Sequence, residues 1–156
     1  MKIYLPRQLC KYLTGRLIAL VFFRMNWWEK YIGRPYELGR SDCASLTVEV
    51  LENEFGADLP SAVKIERSSV RSVRNDHLVS LTLEHTEPTS DPDDGDIVLM
   101  RCNNRPSHVG VYLNVQNEPH VLHAMENAKM VVLHRLRDVE KYLLKIEGFY
   151  KWNKQH

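Results

Sequence analysis

The sequence predicts an α+β domain in which a capped helix precedes an antiparallel sheet. Two observations predict it. Between residues 41 and 60 apolar residues recur at helical spacing inside matched end signals. From residue 91 onward the pattern changes to short alternating runs separated by turn residues. Helix first and strands afterwards, with no repeating strand–helix unit, is the order of α+β rather than α/β proteins.

Residues 1–24 place Lys2, Arg7, Lys11 and Arg16 before or within reach of the apolar run 17–23, which is too short to span a bilayer. Arg24-Met25-Asn26-Trp27-Trp28 follows, and it is not a small-residue cleavage site. Residues 1–24 are therefore read as an N-terminal extension of undetermined role, with Met25 as an alternative start. Residues 25–156 are read as one domain. No membrane span and no signal peptide are expected.

Residues 26–40 interleave Trp27, Trp28, Tyr31, Gly33, Pro35, Tyr36 and Gly39, a turn-rich approach to the helix. Ser41 or Asp42 serves as its N-cap, and Ala44, Val48, Leu51 and Phe55 form one face. Gly56 stands at the C-cap and Pro60 prevents resumption. The alternation Leu46, Val48, Val50 would suit a strand, but the caps favour the helix. Cys43 thus falls in the first helical turn. In residues 61–90 the pattern is ambiguous. Lys64, Arg67, Arg71 and Arg74 recur at helical spacing, as a solvated face or as a surface for carboxylates or phosphates.

Asp91-Pro92-Asp93-Asp94-Gly95 is a turn cluster that launches a strand over 96–101. A second strand covers 107–113, with Val109, Val111 and Leu113 on one face and His108, Gly110 and Tyr112 on the other. After a turn at 114–117 come strands over 121–125 and 130–136. A short helix over 137–144 and a last strand over 146–152 complete the chain.

The chain has 156 residues, 44% hydrophobic and 26% charged, which suits one globular domain. A formal net charge of +1 gives no global attraction to nucleic acid. Cys10, Cys43 and Cys102 are an odd number with no CxxC spacing, so a disulfide scaffold is not expected and one thiol is a candidate for reactivity.

Cys43 is that candidate, because backbone N–H groups and the helix dipole at a first turn stabilise thiolate over thiol. The alternative is a small buried hydrophobe. Folding 107–113 back on 121–125 with Leu113 opposite Glu118 sets His108 directly opposite His123, both on one sheet face. Pairing His108 with His120 would instead put Pro119 in the ladder. A cysteine, a histidine base and a second histidine that fixes the base's ring make a nucleophilic triad. A zinc site is not expected: His120 and His123 point to opposite faces of a strand, and no HExxH or CxxC occurs. No metal and no cofactor are therefore assigned.

Residues 31–43, Tyr-Ile-Gly-Arg-Pro-Tyr-Glu-Leu-Gly-Arg-Ser-Asp-Cys, resemble the nucleophile motif of the NlpC-type cell-wall peptidases, a "G-x-P-Y…G…D-C" segment leading into the catalytic helix. Gly95 to Leu99 resembles their "GD-hydrophobic" strand, Ser107 to Leu113 their "HVG-I/V-Y-L" strand, and Val121 to Ala124 their "hydrophobic-H-A" strand. Gly148 to Trp152 is similar to the closing strand of phage-tail members.

The resemblance implies a papain-like fold, with N-terminal helices and the nucleophile helix packed on a central antiparallel sheet. It implies Cys43 as nucleophile, His108 as base and His123 as the third residue, supported by Tyr36 and Asp42. The substrate it implies is a peptide bond of the peptidoglycan stem, of the γ-D-glutamyl–diaminopimelate type. No nucleic-acid partner is expected from the near-neutral charge. The resemblance implies other phage-tail proteins as companions, and a location in the virion tail, or the bacterial cytoplasm before assembly, with action at the cell wall. Gly39-Arg40 and Ala44-Ser45 replace the small pairs usual in the family, which bears on specificity and removes no catalytic group. The rival functions are a non-catalytic tail-assembly module on the same fold and an amidase or acyltransferase using the same triad.

Overall fold

A computed structural model of the chain describes residues 26–57, 84, 86–102 and 105–152. The extension 1–24, Cys10 and the basic stripe over 64–74 lie outside the described residues. The chain divides into two compact units, residues 1–30 and 31–156. In the first, the 3-10 turn Trp27–Lys30 is closed by Glu29 N–H donating to Asn26 O at 2.9 Å. The Trp27 and Trp28 rings meet edge to face with centroids 5.7 Å apart.

In the second unit the helix α1 spans Cys43–Phe55. Of the two candidate caps Asp42 is the one used: its side chain accepts the N–H of Ser45, and Asp42 O takes the N–H of Leu46 as the first helical bond. Gly56 closes the helix in the left-handed region at φ 64, where a side chain would be strained. Ala44 and Leu51 are buried and Val48 and Phe55 pack on the same cluster, so the expected face is the one that meets the core.

Among the described residues six strands follow: β1 Thr86–Thr89, β2 Ile97–Cys102, β3 Arg105–Val115, β4 Glu118–Met125, β5 Met130–Arg135 and β6 Leu144–Trp152. They form one antiparallel sheet in the order β1-β6-β2-β3-β4-β5. The helix packs on one face through Ile97, Leu99 and Val109. The other face carries Val98, Met100, Tyr112 and Val121 under Val139 of the 3-10 helix Leu136–Tyr142. The short helix expected over 137–144 is thus a tighter 3-10 turn. Strand β1 stands in the segment left ambiguous by the sequence pattern. It is an edge strand, where Pro88 costs no ladder bond on its outer side.

The β3–β4 register differs from the one expected. The turn is two residues long, Gln116 and Asn117, both with positive φ (53° and 64°), as a type I′ hairpin requires. Leu113 therefore faces His120 and Asn114 faces Pro119. Proline is tolerated there because Asn114 turns its own N–H away from β4, to Asp94 Oδ1 at 2.6 Å. That makes the pair one in which neither residue donates across the ladder. The slide of two residues is even, so His108 and His123 keep a common face but are diagonal neighbours rather than directly opposed.

Residues 33–36 run beside β5. Gly33 N–H donates to Val131 O, Val131 N–H to Arg34 O and Tyr36 N–H to Lys129 O, at 2.9, 2.8 and 2.9 Å. They cover an edge that would otherwise offer open backbone groups, and they fix where the chain enters α1. Among the described residues no helix is long and apolar enough to cross a membrane.

Candidate active site

The loop before α1 is held by its own polar groups. Ser41 Oγ accepts Glu37 N–H at 3.0 Å and donates to Pro35 O at 2.6 Å. Asp42, buried at 2% exposure, spends both carboxylate oxygens on backbone: Oδ2 takes Gly39 N–H at 2.6 Å and Oδ1 takes Ser45 N–H at 3.0 Å. Arg34 forks onto Glu49 with bonds of 2.9 and 3.1 Å, tying the approach segment to the helix. Cys43 is the first residue of the helix and is partly buried, its sulfur in no disulfide. Its carbonyl accepts the hydroxyl of Thr47 at 2.8 Å. Tyr36 is partly buried on the same loop, and Cys102, the other cysteine among the described residues, ends β2.

His108 lies near the start of β3, where the pairing with β2 is irregular. Met100 pairs with His108 and Arg101 with Pro106, leaving Ser107 as an extra residue. Such a bulge bends its strand and re-aims adjacent side chains. His108 Nε2 is hydrogen-bonded to His123 Nδ1 at 2.7 Å, with the rings at 83°. His123 is wholly buried, and its Nε2 is bonded in turn to His134 Nδ1 at 3.1 Å. His134 stacks on Tyr142, ring planes 6° apart and centroids 3.9 Å apart.

Burial sets the charge state of this chain of imidazoles. Desolvation brings the His108 pKa down from 6.5 to about 4, against the opposing pull of the Asp42 carboxylate. His123 is lowered well below the usual range by burial and by its two histidine neighbours. His134 is lowered by burial, with Asp138 opposing. All three are neutral at neutral pH, so His108 is a proton acceptor there.

The residues expected from the sequence thus fall into two groups. Asp42 and Cys43 open α1, with Tyr36 on the loop before them. His108 and His123 are hydrogen-bonded on the sheet. His134 was not anticipated, although folding 130–136 back on 121–125 would have set it on the face of His123. His120 stands apart, its Nδ1 bonded to Glu118 O at 2.7 Å. Among the described residues no group of three or more His, Cys, Asp or Glu is placed to hold a metal ion.

The model of the NlpC/P60 family matches residues 33–145, which include Tyr36, Cys43, His108, His123 and His134. No curated protein matches the sequence. Among solved structures, the chain is similar to a proposed xylanase from Bacteroides fragilis, at 17% identity and a TM-score of 0.32, over 79% of this chain and 56% of that one. It is also similar to an N-acetylmuramoyl-L-alanine amidase from Bacteroides uniformis, at 16% identity and a TM-score of 0.34, over 83% of this chain and 57% of that one. The chain therefore spans little more than half the length of these structures.

Proposed function

The chain belongs to the NlpC/P60 family, and from that premise we propose that it is a cysteine hydrolase of bacterial cell-wall peptides. Cys43 is the nucleophile, His108 the base and His123 the residue that orients the base. The observation that carries this reading is the 2.7 Å bond from His108 Nε2 to His123 Nδ1, on a histidine that feels the charge of the residue before Cys43. That bond leaves His108 Nδ1 as the nitrogen that can serve the thiol.

The steps follow from this assignment. Cys43 Sγ attacks the carbonyl carbon of the scissile amide while its proton passes to His108 Nδ1. The developing oxyanion is met by backbone N–H groups at the start of α1, that of Cys43 among them, with the Tyr36 hydroxyl polarising the site. The C–N bond breaks, His108 returns its proton to the leaving amine, and a thioester remains on Cys43. Water attacks the thioester with its proton going to His108, the acid product departs, and the proton returns to the sulfur.

The finer reading is a papain-like endopeptidase that cuts the stem next to D-glutamate, at a γ-D-glutamyl–diaminopimelate bond, as a phage-tail hydrolase acting at the cell wall. The family motifs in Tyr36, Cys43, His108 and His123 support it. An amidase or acyltransferase would use the same residues with another leaving group or acceptor, and a tail-assembly module would retain them without turnover.

Alkylation tests the nucleophile. With limiting iodoacetamide at pH 7, Cys43 should be modified much faster than Cys10 or Cys102, followed site by site by mass spectrometry. Equal, slow labelling of all three would remove the activated thiol and with it the hydrolase reading.

A further inference from the structure

The two ring nitrogens of His123 lie in a wholly buried place, and each has one histidine partner. A neutral imidazole carries one N–H, so each of these bonds has one donor and only two proton arrangements satisfy both. In one, every ring carries its proton on Nε2: His108 donates to His123 Nδ1, and His123 donates to His134 Nδ1. His108 Nδ1 is then an open acceptor. In the other, every ring carries its proton on Nδ1, the bonds run the opposite way, and His108 has a proton where the thiol's should go. The two differ at the base by the whole of its function, and both are built from the same heavy-atom positions.

We propose that His134 is a positioning residue of this site: by accepting the Nε2–H of His123 it selects the tautomer in which His108 can act as a base. The proposal rests on the reading of His108 as the base. His134 is suited to the task because its ring plane is set by the stack on Tyr142 and its Nδ1 is aimed at His123. It stands at the partly exposed end of the three-histidine series. Without an acceptor at this position the buried Nε2–H of His123 would be unsatisfied, and the reversed arrangement becomes competitive.

The test uses the full chain with nitrogen-15-labelled histidine. In wild type the NMR shifts should place the His123 proton on Nε2. His134→Phe keeps an aromatic ring on Tyr142 but offers no acceptor. It should shift His123 toward the Nδ1–H form and lower kcat on peptidoglycan at least about tenfold, with KM within about twofold. His134→Asn, whose side-chain oxygen replaces the acceptor, should restore both.

A wild-type His123 protonated on Nδ1 would overturn the proposal. So would an unchanged His123 tautomer and kcat in H134F, or an H134N no better than H134F. If wild type did not turn over peptidoglycan while H134F still switched the tautomer of His123, the hydrolase reading would fall and the role of His134 on His123 would stand.

Discussion

His108 Nε2 lies 2.7 Å from His123 Nδ1, and the two rings meet edge to face with centroids 4.9 Å apart. The partners are diagonal across β3 and β4, so the bond depends on the pairing of the two strands as well as on the side chains. If His108 is the base and His123 only orients it, their losses should differ. His108→Ala should lower kcat by about 10² to 10⁴, and His123→Ala by less, both measured on the same peptidoglycan. Equal losses would mean that His123 moves protons itself.

The closeness of β3 and β4 at this point rests on Gly110. A Cβ there would lie 2.5 Å from Val121 Cγ2, 2.8 Å from Leu122 O and 3.0 Å from His123 Cβ. Gly110→Ala must therefore push β4 away at the residue that holds the base. Urea unfolding should show a loss of about 1–3 kcal/mol, and turnover should fall under conditions where the protein remains folded.

Asp42 has two separable jobs. Asp42→Ala removes the helix cap and the acceptor for Gly39 N–H, and should cost about 1–2 kcal/mol in urea unfolding. Asp42→Asn keeps an acceptor at the cap but removes the negative charge that favours protonated His108. The His108 pKa should then fall below its value of about 4, as an NMR titration of the ring would show. A rise in that pKa would contradict the assignment.

The same titration makes a prediction about stability. His108 titrates at about 4 in the folded protein and at 6.5 without burial. Between those values the unfolded chain binds the proton and the folded chain does not, so protons favour unfolding. Stability is full above the unfolded pKa and is lost as pH falls toward the folded one. His123 acts in the same direction. Urea midpoints measured from pH 7.5 to pH 4 should fall steeply for wild type and less steeply for His108→Gln.

Much of this arrangement was legible where the signals are local. Asp42, the face Ala44–Val48–Leu51–Phe55 and Gly56 all act within a few residues of one another, so the helix and the placing of Cys43 could be read directly. The common face of His108 and His123 survived an error in register because alternation depends only on parity. The register itself was hidden: Gln116 and Asn117 adopt positive φ without a glycine to announce the tight turn. Strand β1 was hidden too, because its partner is the far end of the chain, with Thr86 opposite Trp152. The Ser107 bulge and the contact of His134 with Tyr142 depend on how strands and the 3-10 helix meet, which no short stretch of sequence records.

The most direct measurement is digestion of purified peptidoglycan by wild type and by Cys43→Ala, with the released fragments identified by mass spectrometry. Hydrolysis predicts new stem-peptide termini with wild type and none with C43A, whose fold should be intact by circular dichroism. Termini released equally by C43A would contradict the mechanism. No release by reduced wild type from any of several wall types would contradict the enzyme itself.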